Sequence, residues 1–144
     1  MKILLVAIVI MLSMFSLSCS QDAEPISYNS DACAHCKMTI EDSRFGAEIV
    51  TKKGKVYKFD AVECMINYIK KGKLSESDAG SYWVIDYNKP TILIDALTAY
   101  YLICPSIPSP MGAFISAYSS KSIAEEMKNQ KGGEILSFKE IKER

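Results

Sequence analysis

Along this chain the apolar positions form first an unbroken block, then nothing periodic, then strand-like and helix-like periods in turn. Lys2 precedes an apolar run from Ile3 to Leu17, interrupted only by Ser13 and Ser16. The run is shorter than the roughly 20 residues of a comfortable membrane span and matches the hydrophobic region of a secretory signal, so residues 1–18 are expected to be a signal peptide. From Ser20 to Ser30 the chain is polar, contains Pro25 and Asn29, and shows no apolar period. That composition predicts a flexible tether.

Regular patterning begins after Asp42. Ala47–Thr51 and Val56–Phe59 read as two strands joined by the turn Lys52-Lys53-Gly54-Lys55, a hairpin signature. Asp60 stands three residues before Glu63, the spacing of a capping box. Val62, Met65, Ile66 and Ile69 recur at helical spacing, which predicts an amphipathic helix over residues 61–71 closed by Gly72. Ser81–Tyr87 is a strand candidate rich in aromatic and β-branched residues. Asn88-Lys89-Pro90 makes a turn, and Thr91–Ile94 returns. Ala96–Ile103 fits either a strand or a short helix. A proline-rich loop, Cys104 to Pro110, leads to Met111-Gly112 and a strand over Ala113–Tyr118. Ser120 or Ser122 caps a helix running to about Gln130, Gly132-Gly133 stops it, and Glu134–Phe138 reads as a last strand. Helices placed after groups of strands predict an α+β fold: two ββα-like halves with mainly antiparallel sheets, packed into one compact domain over residues 31–144.

The 17 basic and 17 acidic side chains cancel, which argues against nucleic-acid binding. The densest basic patch, Lys70-Lys71-Gly72-Lys73, reads as a solvated helix end. Phe15-Ser16-Leu17-Ser18-Cys19 resembles the end of a bacterial lipoprotein signal, in which a small residue precedes a cysteine that is lipidated and becomes the new N-terminus. Leucine is usual three residues before that cysteine, and this chain has Ser16 there. Ordinary cleavage with Cys19 left as a free thiol is the competing reading. Lipidation would make residues 19–30 an anchor and tether at a membrane of the cell envelope, outside the cytoplasm. Beyond Cys19 lie four cysteines, Cys33, Cys36, Cys64 and Cys104, an even number that permits two disulfides in an oxidising compartment.

The densest chemistry is in Asp31-Ala32-Cys33-Ala34-His35-Cys36-Lys37-Met38, which holds the only histidine. Thiolate and thioether are soft ligands that favour Cu(I) over Mg²⁺ or Ca²⁺, and no second Cys or His pair follows to complete a zinc site. Cys33, Cys36 and Met38 are the principal candidate ligands. His35 either joins them or faces solvent. Met111, at a Pro-Met-Gly turn, is either a distant contributor or core packing. Met65 reads as core, and Cys64 as core, spare ligand or disulfide partner.

Several motifs in order give a resemblance to the NosL family, lipid-anchored copper proteins that assist maturation of nitrous oxide reductase. They are His35-Cys36-Lys37-Met38, Arg44-Phe45-Gly46-Ala47, Phe59-Asp60, Trp83-Val84-Ile85-Asp86-Tyr87, Ile94-Asp95-Ala96, Pro110-Met111-Gly112 and Gly132-Gly133-Glu134-Ile135-Leu136. The resemblance runs from Cys33 to Ile141. It implies a non-enzymatic Cu(I) carrier that docks with a copper-receiving protein or an ABC-type maturation complex. The family commonly has glycine where this chain has Lys37, and Cys104 has no counterpart. Two other readings stand beside it: a thiol-disulfide oxidoreductase using Cys33 and Cys36, and a binding module stabilised by Cys33–Cys36 or Cys64–Cys104 disulfides. No Ser/His/Asp or paired-carboxylate arrangement suggests hydrolysis.

Overall fold

The computed structural model describes residues 21–144. The signal peptide and the candidate acceptor Cys19 lie outside the described residues. Seven strands and three helices follow in the order β1 (Ala47–Thr51), β2 (Val56–Phe59), α1 (Val62–Lys70), β3 (Ala79–Ile85), β4 (Leu93–Asp95), β5 (Tyr100–Ile103), β6 (Ile115–Tyr118), α2 (Lys121–Lys131), β7 (Glu134–Leu136) and α3 (Phe138–Glu143). One sheet has the order β2-β1-β3-β4 and the other β6-β5-β7. Every strand pair is antiparallel.

The two halves share a path. In each, a hairpin leads into a helix, and the next strand returns to pair with the first strand of the hairpin. The α+β reading with two related halves therefore holds, and each half is better written ββαβ. No helix among the described residues is long and apolar enough to cross a membrane.

Strand alternation explains how the halves are joined. Along β5, Tyr101 and Ile103 face one apolar cluster while Leu102 and the following Cys104 face another. The first cluster collects Ala47, Ile49, Phe59, Met65, Ile66 and Ile85 from the first half with Phe138 and Ile141 of α3. The second gathers Leu102, Ile107, Tyr118 and Ala124 under α2. A period-two side-chain pattern thus gives the second sheet two buried faces. Met65 is core, as its place on the helix predicts.

Several local expectations are corrected. The segment read as a tether is docked from Gln21 onward: Ile26 is buried, the Glu24 N–H donates to Glu48 Oε2 at 3.0 Å, and Lys58 Nζ donates to the Pro25 carbonyl at 2.8 Å. Asp60 does not cap α1. The N-cap is Ala61, with no side-chain hydrogen bond, and Glu63 instead accepts the Ser109 hydroxyl at 2.6 Å, a tertiary partner in place of a local one. Ser120 is the N-cap of α2, but its hydroxyl pairs with that of Ser122 at 2.7 Å rather than with the helix. Strand β6 starts at Ile115 because Phe114 has φ +61°, outside the extended region. Ala96–Ile103 resolves into a turn followed by β5. The last strand stops at Leu136, and Phe138 opens α3. There Ser137 Oγ accepts the Glu140 N–H and Glu140 accepts the Ser137 N–H, a full capping box.

Candidate metal centre

The Cys33–Met38 loop is built by main-chain hydrogen bonds at its base. Asn29 N–H donates to the Ile40 carbonyl at 2.8 Å, Ile40 N–H to Asp31 at 2.9 Å, and Cys33 N–H to Met38 at 2.8 Å. The turn closes when Lys37 N–H donates to the Cys33 carbonyl at 3.0 Å, and Ala34 N–H pins the loop to β2 through the Lys58 carbonyl at 2.8 Å. Lys37 has φ +68°, the left-handed region where glycine fits without cost. This explains why glycine suits the position. Lys37 turns its ammonium back to the Ala34 carbonyl at 2.7 Å.

The loop delivers Cys33 against the first turn of α1, where Cys64 projects. The Sγ atoms of Cys33, Cys36 and Cys64 all lie within 4.8 Å of one another. Three thiolates bound to one ion at about 2.3 Å place their sulfurs roughly 4.0 Å apart, so this group can share one ion once the sulfurs draw together to about that spacing. Cys33 and Cys64 are buried and Cys36 is half-buried. Access therefore runs through Cys36.

The cluster is electrostatically graded. The Cys64 thiol donates to Cys33, and the backbone N–H groups of Asp60, Cys36 and His35 add to it, so Cys33 ionises well below an ordinary thiol. Cys64, the donor to Cys33, is held protonated far above the usual range. Burial pushes Cys36 up as well. Burial first, then the Cys33 charge, raises the Asp60 carboxyl to about 6.

Two open clefts border the Cys33–Met38 loop. One, of about 580 Å³, is lined by Met38, Glu41, Asp42, Arg44, Asp60 and Ser109 among others. Arg44 and Asp42 neutralise one another there through paired hydrogen bonds of 2.9 and 2.6 Å. Met38 is 58% exposed and Met111, next after the wall residue Pro110, is 42% exposed. Met111 is therefore not core packing. The other cleft, of about 520 Å³, is lined by His35, Cys36, Lys37, Tyr68, Lys71 and Lys73 with Ala34. His35 stands on that side and does not join the three-sulfur group.

All four described cysteines are free. Cys104 lies in the second core cluster and donates to the Lys131 carbonyl at 3.3 Å, and neither the Cys33–Cys36 nor the Cys64–Cys104 disulfide of the alternative reading is present. Cys64 is the residue that the spacing of Cys33 and Cys36 did not place at the site. Its position in the first turn of the helix after Asp60 was the available signal, but pairing it with Cys33 needs the fold.

The NosL family model matches residues 25–144. The chain belongs to the NosL family. A curated relative, the copper-binding lipoprotein NosL of Stutzerimonas stutzeri, is 32% identical over 132 residues, spanning 84% of this chain and 67% of the relative. The crystal structure of the copper chaperone NosL from Shewanella denitrificans superposes with a TM-score of 0.73 at 25% identity, covering 84% of this chain and 96% of that one. The ordered motifs that suggested the family thus coincide with a shared fold.

Proposed function

We propose that this NosL protein is a carrier of Cu(I), held at a membrane outside the cytoplasm through Cys19, that passes its metal to a membrane-associated maturation complex serving nitrous oxide reductase. The observation that carries the reading is the three-sulfur group. Soft donors, a Cys33 thiol whose pKa is lowered by its hydrogen-bond partners, and a single half-exposed thiol suit a monovalent copper ion that must be held and then surrendered. In this reading Cys33, Cys36 and Cys64 hold the ion. Met38 and Met111, both exposed beside the acidic cleft, supply neutral thioethers during entry or exit, and His35 lies near enough in sequence to assist. Relatives named as a copper-binding lipoprotein and a copper chaperone support the cargo and the anchor. The partner and the oxidation state rest on the ligand chemistry and the family resemblance.

The test is a Cu(I) competition titration of the reduced protein against a chromophoric chelator, with Zn²⁺ in parallel. One Cu(I) per chain is expected, weakened in Cys33→Ser, Cys36→Ser, Cys64→Ser and Met38→Ala. Stoichiometric binding that survives the combined change of the three cysteines would overturn the ligand set. Zinc bound in preference to copper would overturn the cargo.

A further inference from the structure

We propose that the cleft beside Cys36 is the docking surface for an acidic face of the protein that exchanges metal with this one. The inference rests on the carrier reading above and names the kind of partner that reading requires. Its walls come from the site loop (His35, Cys36 and Lys37) and from the end of α1 (Tyr68, Lys71 and Lys73). Lys71 and Lys73 are exposed and pair with no carboxylate among the described residues, which leaves both charges open to a partner. A cation serving only the helix dipole belongs in the last turn. Lys70 occupies that place and does not line the cleft. Lys71 and Lys73 lie beyond it, on either side of Gly72, whose φ of +66° reverses the chain.

Because the whole chain is neutral, this patch is local. In the other cleft Arg44 neutralises Asp42 and leaves Glu41 and Asp60, so the two clefts differ in the sign of their charge. Such a field orients an approaching acidic surface over Cys36, and steering of this kind raises association rates by about 10- to 1,000-fold at low salt. The occupant covers the half-exposed thiol, so it must also offer a soft ligand. An acidic protein face carrying sulfur or imidazole does so, and a lipid headgroup does not. Exchange is then ligand substitution: a bond from the incoming donor to Cu(I) forms as the Cys36 Sγ–copper bond breaks, and no electron moves.

The experiment uses two synthetic acceptor peptides of equal length with the same central cysteine, one flanked by aspartates and the other by lysines. Binding of each labelled peptide to the metal-free protein is read by anisotropy, and copper extraction from the loaded protein by stopped flow. At low salt the acidic peptide is expected to bind and to extract copper at least tenfold better, with the difference lost in high salt. Lys71→Glu/Lys73→Glu should reverse the preference, and Lys71→Gln/Lys73→Gln should abolish it, with Cu(I) stoichiometry unchanged. Equal binding of the two peptides, or a preference that survives both double variants, would overturn the docking surface. So would lysine-dependent binding to phosphatidylglycerol vesicles without peptide preference, which would assign the patch to a membrane. Failure to load Cu(I) strikes the carrier reading alone, because the anisotropy arm needs no metal.

Discussion

Glu48 offers the sharpest quantitative check on how the N-terminal segment is held. It is the second residue of β1, between Lys58 and Trp83 on the neighbouring strands, and it is fully buried. One carboxylate oxygen accepts the Glu24 N–H, while the other has no hydrogen-bond partner, nor has the buried Tyr28 hydroxyl. Burial is the main reason that its pKa rises from 4.5 to about 7. An acid with a raised folded pKa binds its proton more tightly in the native state. Stability from this group is therefore full below about 4.5, falls as pH rises to about 7, and is level above that. The shift corresponds to about 3 kcal/mol.

Glu48→Gln keeps an acceptor for Glu24 and removes the ionisation. Whatever fixed cost the amide carries cancels when one variant is compared with itself at two pH values. Urea denaturation of wild type and variant at pH 4 and pH 8 should show the variant gaining about 3 kcal/mol on wild type between the two. Stability differences that stay parallel across this range would refute the assignment of a buried, poorly satisfied carboxylate.

Four further substitutions test the frame of the site. Lys37→Gly relieves the left-handed conformation of a non-glycine residue and should raise stability by about 0.5–1 kcal/mol after the entropy of glycine is counted, read from urea midpoints; a loss would show that the Lys37–Ala34 contact matters more. Gly133→Ala places a methyl 2.3 Å from the Ile103 carbonyl oxygen at φ +100°, and should cost about 3 kcal/mol or more, whereas Gly132→Ala, with φ +81° and open space, should cost about 1–2 kcal/mol; equal losses in thermal melts would contradict the close strand approach. Ser109→Ala removes the hydrogen bond that buried Glu63 receives and should cost about 1–3 kcal/mol. Because Ser109 also accepts the Phe114 N–H at 2.9 Å, the same change should sharpen the Met111 methyl resonance as its loop loosens, and an unaltered line would argue against that tie.

The elements legible in the sequence were those set by local rules. The β1–β2 hairpin and α1 follow from period, turn residues and Gly72, and they appear within a residue of the expected bounds. Helix α3 has a local signal too, because Ser137 and Glu140 stand in capping-box spacing, but Phe138 also suits the end of a strand, and the two signals compete. Local reasoning misplaced Asp60 and Glu63 because Ser109, 46 residues beyond Glu63, competes for the same carboxylate. It misjudged Gln21–Ser30 because a polar segment without period still satisfies its backbone against Glu48, Ser81 and Lys58.

By itself the sequence determined the soft-donor chemistry, since Cys33, Cys36 and Met38 stand within six residues and any fold would keep them near one another. It also determined the α+β class, through two hairpin–helix patterns in order. Only the tertiary structure decided that Cys64 joins Cys33 and Cys36, that Cys104 stays apart, and that His35 and Met38 line different clefts. The physical reason is separation along the chain. A six-residue loop is closed by its own hydrogen bonds, whereas a thiol 28 residues after Cys36 is brought to it by the packing of α1 on the first sheet.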